Sequence, residues 1–364
     1  MRLPIPPLSL RRDYIKAGKA LIVPDSRPMI VLGLLVLALL LAGAGALQLG
    51  PLNVSIQALW SALGDPSSTH HDANAVIQLR LPRILLAALV GAVLAVAGCC
   101  MQALFRNPLA EPGLVGLSSG AALGAALMLV AGSYWPALEA LPANLRIPLA
   151  AFSGAALTAW VAVQLSLVDG QSRIAALLLA GLAINAICGA GLGLLSVMAS
   201  DTALRGLTFW LFGSLGKADW AAIQLASPAL LLPLLALPWL GWRLNALLLG
   251  EAPARHLGVD VALFKKLLLA IVVLAVGAAV SLTGIIGFVG LIVPHLIRLV
   301  IGPDHRMLLP ASALSGALLL LAADSLARSA LPPAEIPVGV ITALIGGPFF
   351  LALLLRNRDQ VELG

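Results

Sequence analysis

The chain alternates long apolar runs with short polar stretches, and ten such runs can be marked, at about 29–47, 84–104, 114–131, 147–168, 174–197, 220–242, 267–285, 286–301, 307–327 and 336–355. Most come close to the roughly 20 residues that a helix needs to cross a hydrocarbon core about 30 Å thick. Within each run the apolar positions fill all sides instead of alternating with polar ones, which selects helices over barrel strands. The pattern therefore predicts an all-α, polytopic membrane protein with about ten transmembrane helices. A tail over 1–28 precedes a single transmembrane domain over 29–356, and a second tail covers 357–364. The eighth run is short and meets the seventh at Gly284-Ile285-Ile286-Gly287. Fusing these two into one kinked helix would leave nine spans and move the C-terminus to the opposite side.

Composition and charge sharpen this reading. Of 364 residues, 60% are hydrophobic and 10% charged, with a mean hydropathy of +1.03, more apolar surface than a soluble domain of this size buries. The 35 glycines suit helices whose backbones approach closely in lipid. With ten spans and the N-terminus inside, sixteen of the 22 Lys and Arg fall inside, and Arg80, Arg83, Arg146, Arg205, Lys217 and Arg328 fall outside. That split obeys the positive-inside bias and favours ten spans over nine. The net charge of +6 is thus a record of topology, and no nucleic-acid partner is expected. The basic tail carries Pro6 and Pro7 and shows no small-residue cleavage pattern, so it reads as an uncleaved inner segment followed by a true span. Cys99, Cys100 and Cys188 all fall inside spans. Neighbouring helical cysteines point about 100° apart, so core packing is the expected role.

Ionisable groups are scarce where ion-coupled transport would want them, because a desolvated charge near the membrane middle is costly and retained only for function. Eight of the ten spans hold no Asp, Glu, Lys, Arg or His, and His295, Arg298 and Asp324 all lie near span ends. An ion-coupled carrier using Asp324 and His295 remains the runner-up. No phosphate-binding Gly-x-x-x-x-Gly-Lys-Ser/Thr loop occurs; Gly213-Ser214-Leu215-Gly216-Lys217 has the wrong spacing. Nucleophile, metal cluster and paired carboxylates are likewise absent, so neither a catalytic residue nor a metal site is expected. The most informative polar segment is Gly250-Glu251-Ala252-Pro253-Ala254-Arg255-His256-Leu257-Gly258, a short polar helix between long apolar spans. Gly250 and Gly258 would bracket it, since glycine accepts positive φ without steric cost. Glu251 at its start would cap free amides, and Ala254 and Leu257, three apart, would share an apolar face with Arg255 and His256 at the rim. A faint echo, Gly113-Leu114-Val115-Gly116-Leu117 against Gly287-Phe288-Val289-Gly290-Leu291, opens the third and eighth spans from opposite faces, as an inverted repeat would.

Arg80-Leu81-Pro82-Arg83 and Gln102-Ala103-Leu104-Phe105-Arg106-Asn107-Pro108-Leu109-Ala110-Glu111-Pro112-Gly113 resemble the second helix and following turn of the iron-chelate, haem and cobalamin import permeases of bacterial ABC transporters. Residues 250–258, Gly284 through Leu299 with its Val293-Pro294-His295, and Ala322 and Asp324 through Glu335-Ile336-Pro337-Val338-Gly339 match the same family in the same order. The likeness covers about 76–356. It implies an inverted-repeat permease fold of ten helices per subunit, two copies forming one pathway, two ATPase subunits inside and a periplasmic binding protein outside. ATP and Mg belong to the ATPase, and the permease holds no resident cofactor. By the same resemblance the region about 248–266 couples to the ATPase through Gly250, Glu251, Ala254, Arg255, His256, Leu257 and Gly258. Arg80, Arg83 and Arg328 would receive carboxylates of the binding protein, for which guanidinium is well suited, or else snorkel to lipid phosphate. Asp324, one turn from Arg328, would orient that arginine and lessen its availability.

The fifth helix would line the pathway, with a short outer helix around 203–215 and a gate near Gln171 and Ser172. Asn185 either faces the pathway or bonds a neighbouring helix, since an unpaired amide in lipid is costly. The cargo expected is haem, followed by a ferric siderophore and then cobalamin. His70-His71 offers imidazoles that bind iron, although paired loop histidines are commonly just solvated.

Overall fold

The computed structural model describes residues 26–49, 76–132, 141–168, 171–331 and 334–356. Thirteen α-helices follow one another among them. The first six are α1 (Arg27–Gln48), α2 (Leu81–Phe105), α3 (Leu117–Ala131), α4 (Ala143–Ser166), α5 (Ile174–Met198) and α6 (Asp201–Leu211). Then come α7 (Trp220–Leu235), α8 (Leu237–Leu248), α9 (Glu251–His256), α10 (Val261–Thr283), α11 (Val289–Ile301), α12 (His305–Ser329) and α13 (Val338–Arg356). A π-helical turn, Val76–Arg80, leads directly into α2. The one ladder among the described residues is antiparallel, β1 (Leu167–Val168) with β2 (Gln171–Ser172), pairing Leu167 with Ser172 and Val168 with Gln171.

These helices account for all ten predicted spans. Six are long and apolar enough to cross a membrane, α7 and α8 form a seventh bent by 49°, and α3, α11 and α13 are shorter apolar helices. The bend falls where Pro238 opens α8, since proline lacks the N–H that would continue the ladder. At the disputed seventh and eighth runs the chain breaks: Gly284 has φ +72° and Phe288 φ +68°, so α10 and α11 are separate helices and the ten-span count holds. The ring of Phe288 lies against Gly346 of α13, where a side chain would collide with it.

Central to the bundle is α2, whose every residue from 90 to 105 is buried. A helix apolar all round is a core helix, and α2 packs against α7, α8, α10, α11 and α12. Lipid offers helices no hydrophobic reason to associate, so close backbone packing has to supply it. Gly91 meets the Gly316 backbone of α12, and Gly98 meets the Gly290 backbone of α11; an added Cβ at either would strike a carbonyl oxygen. The same device joins α3 to α4 through Gly120, Gly124 and Gly154. The three cysteines are buried and free, as expected of packing residues.

Because α2 leaves the Arg83 end and reaches Arg106 at the other, it defines two ends of the bundle. α3 follows the Arg106 end of α2, whereas α11 begins part-way along α2, with Gly290 against Leu94 and Gly98, and runs on to where Arg298 meets Gln102. The two echoed segments, 113–117 and 287–291, open these two helices. Their local turns differ, with the left-handed residue at Gly116 in one and at Phe288 in the other.

Gly98→Ala is expected to destabilise the fold by about 1–3 kcal/mol through overpacking. Gly33→Ala on α1, where a Cβ meets open space, is expected to change little. Thermal unfolding of the two variants in detergent checks this; equal midpoints would remove the glycine contact from the account.

Candidate functional site

Polar chemistry gathers at the two ends. At the first, Asp324 of α12 is almost fully buried, at 1% exposure, and accepts a fork from Arg83 of α2: Nε at 3.1 and 3.0 Å to its two oxygens and Nη2 at 2.9 Å. Arg83 also reaches Glu335, Nη1 to Oε2 at 2.9 Å. Arg328 lies one turn from Asp324, with Nε 3.8 Å from Oδ2, and its Nη2 donates to Ala46 O at 2.6 Å. Arg80 donates to Leu47 O. The last carbonyls of a helix lack intrahelical partners and carry the negative end of its dipole, so two arginines tie the end of α1 to α2 and α12. The three arginines expected to dock a binding protein are thus brought together. All three are engaged within the subunit, Arg80 and Arg328 being buried and Arg83 nearly so. Asp324 serves Arg83 more closely than it serves Arg328, and is not free for ion coupling.

At the opposite end α8 stops at Leu248, Gly250 turns with φ +126° and Gly258 with φ +84°, and α9 lies between them. The expected bracket is thus present, with one short helix before α10. Two details differ from expectation. The N-cap of α9 is Gly250, with no side-chain cap bond, because Glu251 turns toward Lys265 of α10: Lys265 Nζ donates to its Oε1 at 2.5 Å. A buried ammonium needs a counter-charge more than an exposed helix start needs a cap. Arg255 lies on the other oxygen at 3.6 Å. Ala254 and Leu257 do not share an outward face, since Leu257 is already the C-cap with φ −79° and ψ 6° and departs from the helical direction. Ala254 is fully buried and roots α9 in the bundle, while Ala252, Pro253, Arg255, His256 and Leu257 are exposed. The hairpin thus presents Arg255, His256 and a small apolar tip to solvent, on a foot fixed by Ala254 and Glu251.

Between the ends lies α5, which buries Leu177, Ala180, Gly181, Ile184 and Cys188 and exposes Leu179, Leu182, Ile187, Leu194 and Val197. Asn185 bonds its neighbours: Ser119 Oγ donates to its Oδ1 at 2.6 Å, and its Nδ2 donates to Gly113 O at 3.3 Å. Of the two readings left open for this amide, helix bonding is the one observed. Gln171 and Ser172 form β2 in the turn before α5, and the short helix expected around 203–215 is α6, somewhat earlier and N-capped by Ser200. His70 and His71 lie outside the described residues, as do the tails over 1–25 and 357–364.

Several residues of these ends escape sequence reasoning. Lys265 reads as one more inner cation, and Glu335 as a loop carboxylate. Gln102, which accepts from Arg298 at 3.0 Å and donates to Leu291 O at 3.1 Å, reads as part of a motif. The available signal was Asp324 itself, a lone acid in a span, which demands a cation from another helix.

The Lys265 hydrogen bond, opposed by partial burial and reinforced by the charges of Lys265, Arg255 and Arg106, holds the Glu251 carboxyl below its usual range. A lowered folded-state pKa means that the tie stabilises above the unfolded carboxylate value of about 4.3 and is lost as pH falls through the folded value. Glu251→Gln is expected to lower hydrogen-exchange protection of 251–258 at pH 7 about fivefold or more, as for loss of roughly 1 kcal/mol. The difference from wild type is expected to vanish once Glu251 is protonated. Unchanged protection at pH 7 would show that Lys265 does not hold the hairpin.

With this geometry in view, the comparisons with known proteins are direct. Residues 34–356 match the model of the FecCD transport family. The hemin transport system permease protein HmuU of Yersinia pestis is 47% identical over 335 residues, covering 92% of this chain and 98% of that one. The cobalamin import system permease protein BtuC of Halobacterium salinarum is 46% identical over 281 residues, 77% of this chain and 73% of that one. A solved structure described as an inward-facing conformation of a metal-chelate type ABC transporter aligns with a TM-score of 0.78 at 32% identity, over 90% of this chain and 99% of that one. Its relatives are transport subunits and not enzymes. A glycine-packed bundle of ten apolar spans with a rooted polar hairpin at one end, matched over nearly its whole length, places this multi-pass membrane protein in the FecCD transport family of ABC importer permeases.

Proposed function

We propose that this chain is the permease subunit of an ATP-driven importer in the bacterial inner membrane, that its cargo is haem, and that both termini are cytoplasmic. The observation that carries the cargo is the 47% identity to a hemin permease along 98% of that protein, against 46% over 73% of a cobalamin permease. Cobalamin import is the second reading, supported by the several vitamin B12 permeases at 41–44% identity; a ferric siderophore is the third.

In this reading two copies line one pathway along the charge-free outer face of α5, which suits a bulky cargo that slides without a tight site. Two ATP-binding subunits, which carry ATP and Mg, dock on the exposed tips of the two hairpins. Their closure pushes Arg255, His256 and Leu257, and the push reaches the bundle through buried Ala254 and the Glu251–Lys265 tie. A periplasmic binding protein meets the Arg83 end. Since Arg80, Arg83 and Arg328 are engaged within the subunit, docking is an exchange in which a partner carboxylate replaces Glu335 on Arg83. Glu335 is the fitting group to leave, because its side chain is 39% exposed while that of Asp324 is 1% exposed. Gln171 and Ser172, at the mouth of α5, are the gate.

Transport into proteoliposomes holding this chain with its ATPase and binding protein tests the proposal. ATP-dependent accumulation of haem is expected to exceed that of cobalamin by about tenfold or more, the effect of roughly 1.4 kcal/mol in recognition. Accumulation of cobalamin alone would move the cargo to the second reading, and uptake by the chain alone along an ion gradient would overturn the importer.

A further inference from the structure

One face of α8 carries Trp239, Trp242 and Arg243, spaced i, i+3 and i+4 and so neighbours on the helix surface. The guanidinium carbon of Arg243 stands 4.3 Å from the centre of the Trp239 ring and 4.6 Å from that of Trp242, so the cation rests against two indoles at once. Trp239 is in turn set by Phe264 of α10, their ring centres 5.5 Å apart. Arg243 Nη1 also donates to Trp239 O at 3.0 Å. The ring quadrupoles attract a cation at these distances, and the guanidinium is held in place before any ligand arrives.

What the cluster lacks is an acceptor. Guanidinium offers five N–H donors, and Arg243 spends one of them. Among the described residues no carboxylate pairs with Arg243, and the indole N–H groups of Trp239 and Trp242 have no acceptor, whereas Trp220 gives its own to Ile77 O. None of these nitrogens is a buried, unsatisfied atom, and all three side chains are partly exposed. The open donors can therefore be reached from outside the bundle.

At this depth the surroundings are lipid. α8 is half of a bent span, and Arg243 stands about 10 Å along its axis from the Gly250 turn, where a span passes from hydrocarbon to headgroups. Leu249, seven residues beyond Trp242 and so on nearly the same side, is exposed, as is Leu235 at the bend. A ligand that answers the cluster carries negative charge, several acceptor oxygens and an apolar body, which is the description of a phospholipid. Its headgroup is narrowed too. A choline cation seeks an open indole face, but Arg243 already lies on both rings and repels a second positive charge.

We propose that Trp239, Trp242 and Arg243 form a binding site for the phosphodiester of an anionic phospholipid. Arg243 grips two phosphate oxygens, as its fork allows, and the indole N–H groups reach phosphate or ester oxygens. Because α8 runs directly into the Gly250 turn, a bound headgroup holds the strut behind the hairpin. The proposal requires only that the chain spans a membrane, and it is independent of the cargo and of the ATPase.

The full chain is placed in nanodiscs of equal phosphatidylglycerol and phosphatidylcholine, released into detergent, and the lipid retained on singly occupied protein is identified by native mass spectrometry. Wild type is expected to retain phosphatidylglycerol over phosphatidylcholine by about fivefold. Arg243→Gln, which keeps a donor for Trp239 O, is expected to bring that ratio within about twofold. Arg243→Lys keeps the charge and loses the planar fork, and is expected to fall nearly as far; a general attraction of basic residues for acidic lipid would leave it at the wild-type ratio. Trp242→Phe keeps a ring and loses the N–H, and is expected to lower the ratio about twofold to threefold. It tests the site independently should neither Arg243 variant fold. Free inorganic phosphate at matched ionic strength is expected to leave the retained lipid unchanged. A wild-type ratio near one, a wild-type ratio kept in any of the three variants, or displacement of lipid by free phosphate would overturn the site.

Discussion

Backbone against backbone along α2 is the contact on which the remainder of the bundle depends. In lipid a leucine gains little by leaving tails for another helix, so association has to come from close approach and from polar pairs. Gly91 and Gly98 stand two turns apart on α2 and meet Gly316 and Gly290 on two different helices. Removing both methyl groups at each crossing lets α11 and α12 lie on α2 closely enough for the Gln102 amide to reach the Leu291 carbonyl and for the Arg83 fork to reach Asp324. The polar ends are thus consequences of the crossings, because those bonds span helices nearly two hundred residues or more apart in sequence.

Charge has been sorted by the same constraint. The middle of the bundle is left to small and apolar side chains, and each end closes with a different kind of network. The Arg83 end is internally balanced, two carboxylates serving the arginines and the end of α1 absorbing the surplus donors. The hairpin end is more open: Arg106 and Arg298 line a cavity with no carboxylate among its lining residues, and Arg255 and His256 are exposed. One end is therefore closed on itself, with Glu335 as its exposed member, and the other leaves basic side chains at open space.

Much of this was legible in the sequence. Spans could be counted because a membrane demands a length, and even the break at Gly284 could be placed by sorting cations between sides. The hairpin was legible from its glycines, and their positive φ values bear that reading out. What could not be read was the direction of side chains in short segments. Leu257 would share a face with Ala254 only if α9 continued past His256, and Glu251 would cap an amide only if Lys265 were not buried behind it. Long-range partners were equally hidden: Arg83 and Glu335 stand 252 positions apart, and no local periodicity carries that pairing. Asn185 shows the intermediate case, where the cost of a bare amide predicts a partner but does not name Ser119 or Gly113.

The central claim is that the 250–258 hairpin, rooted by Ala254 and Glu251, is a rigid handle through which nucleotide-driven motion enters the bundle. The most direct measurement places a spin label at position 256 in each of two copies within the reconstituted transporter and compares the distance between labels with and without bound ATP. The account predicts a nucleotide-dependent change in that distance, carried over to a second label pair near the start of α10. A distance that stays fixed while ATP-driven uptake proceeds, or a change confined to position 256, would contradict it.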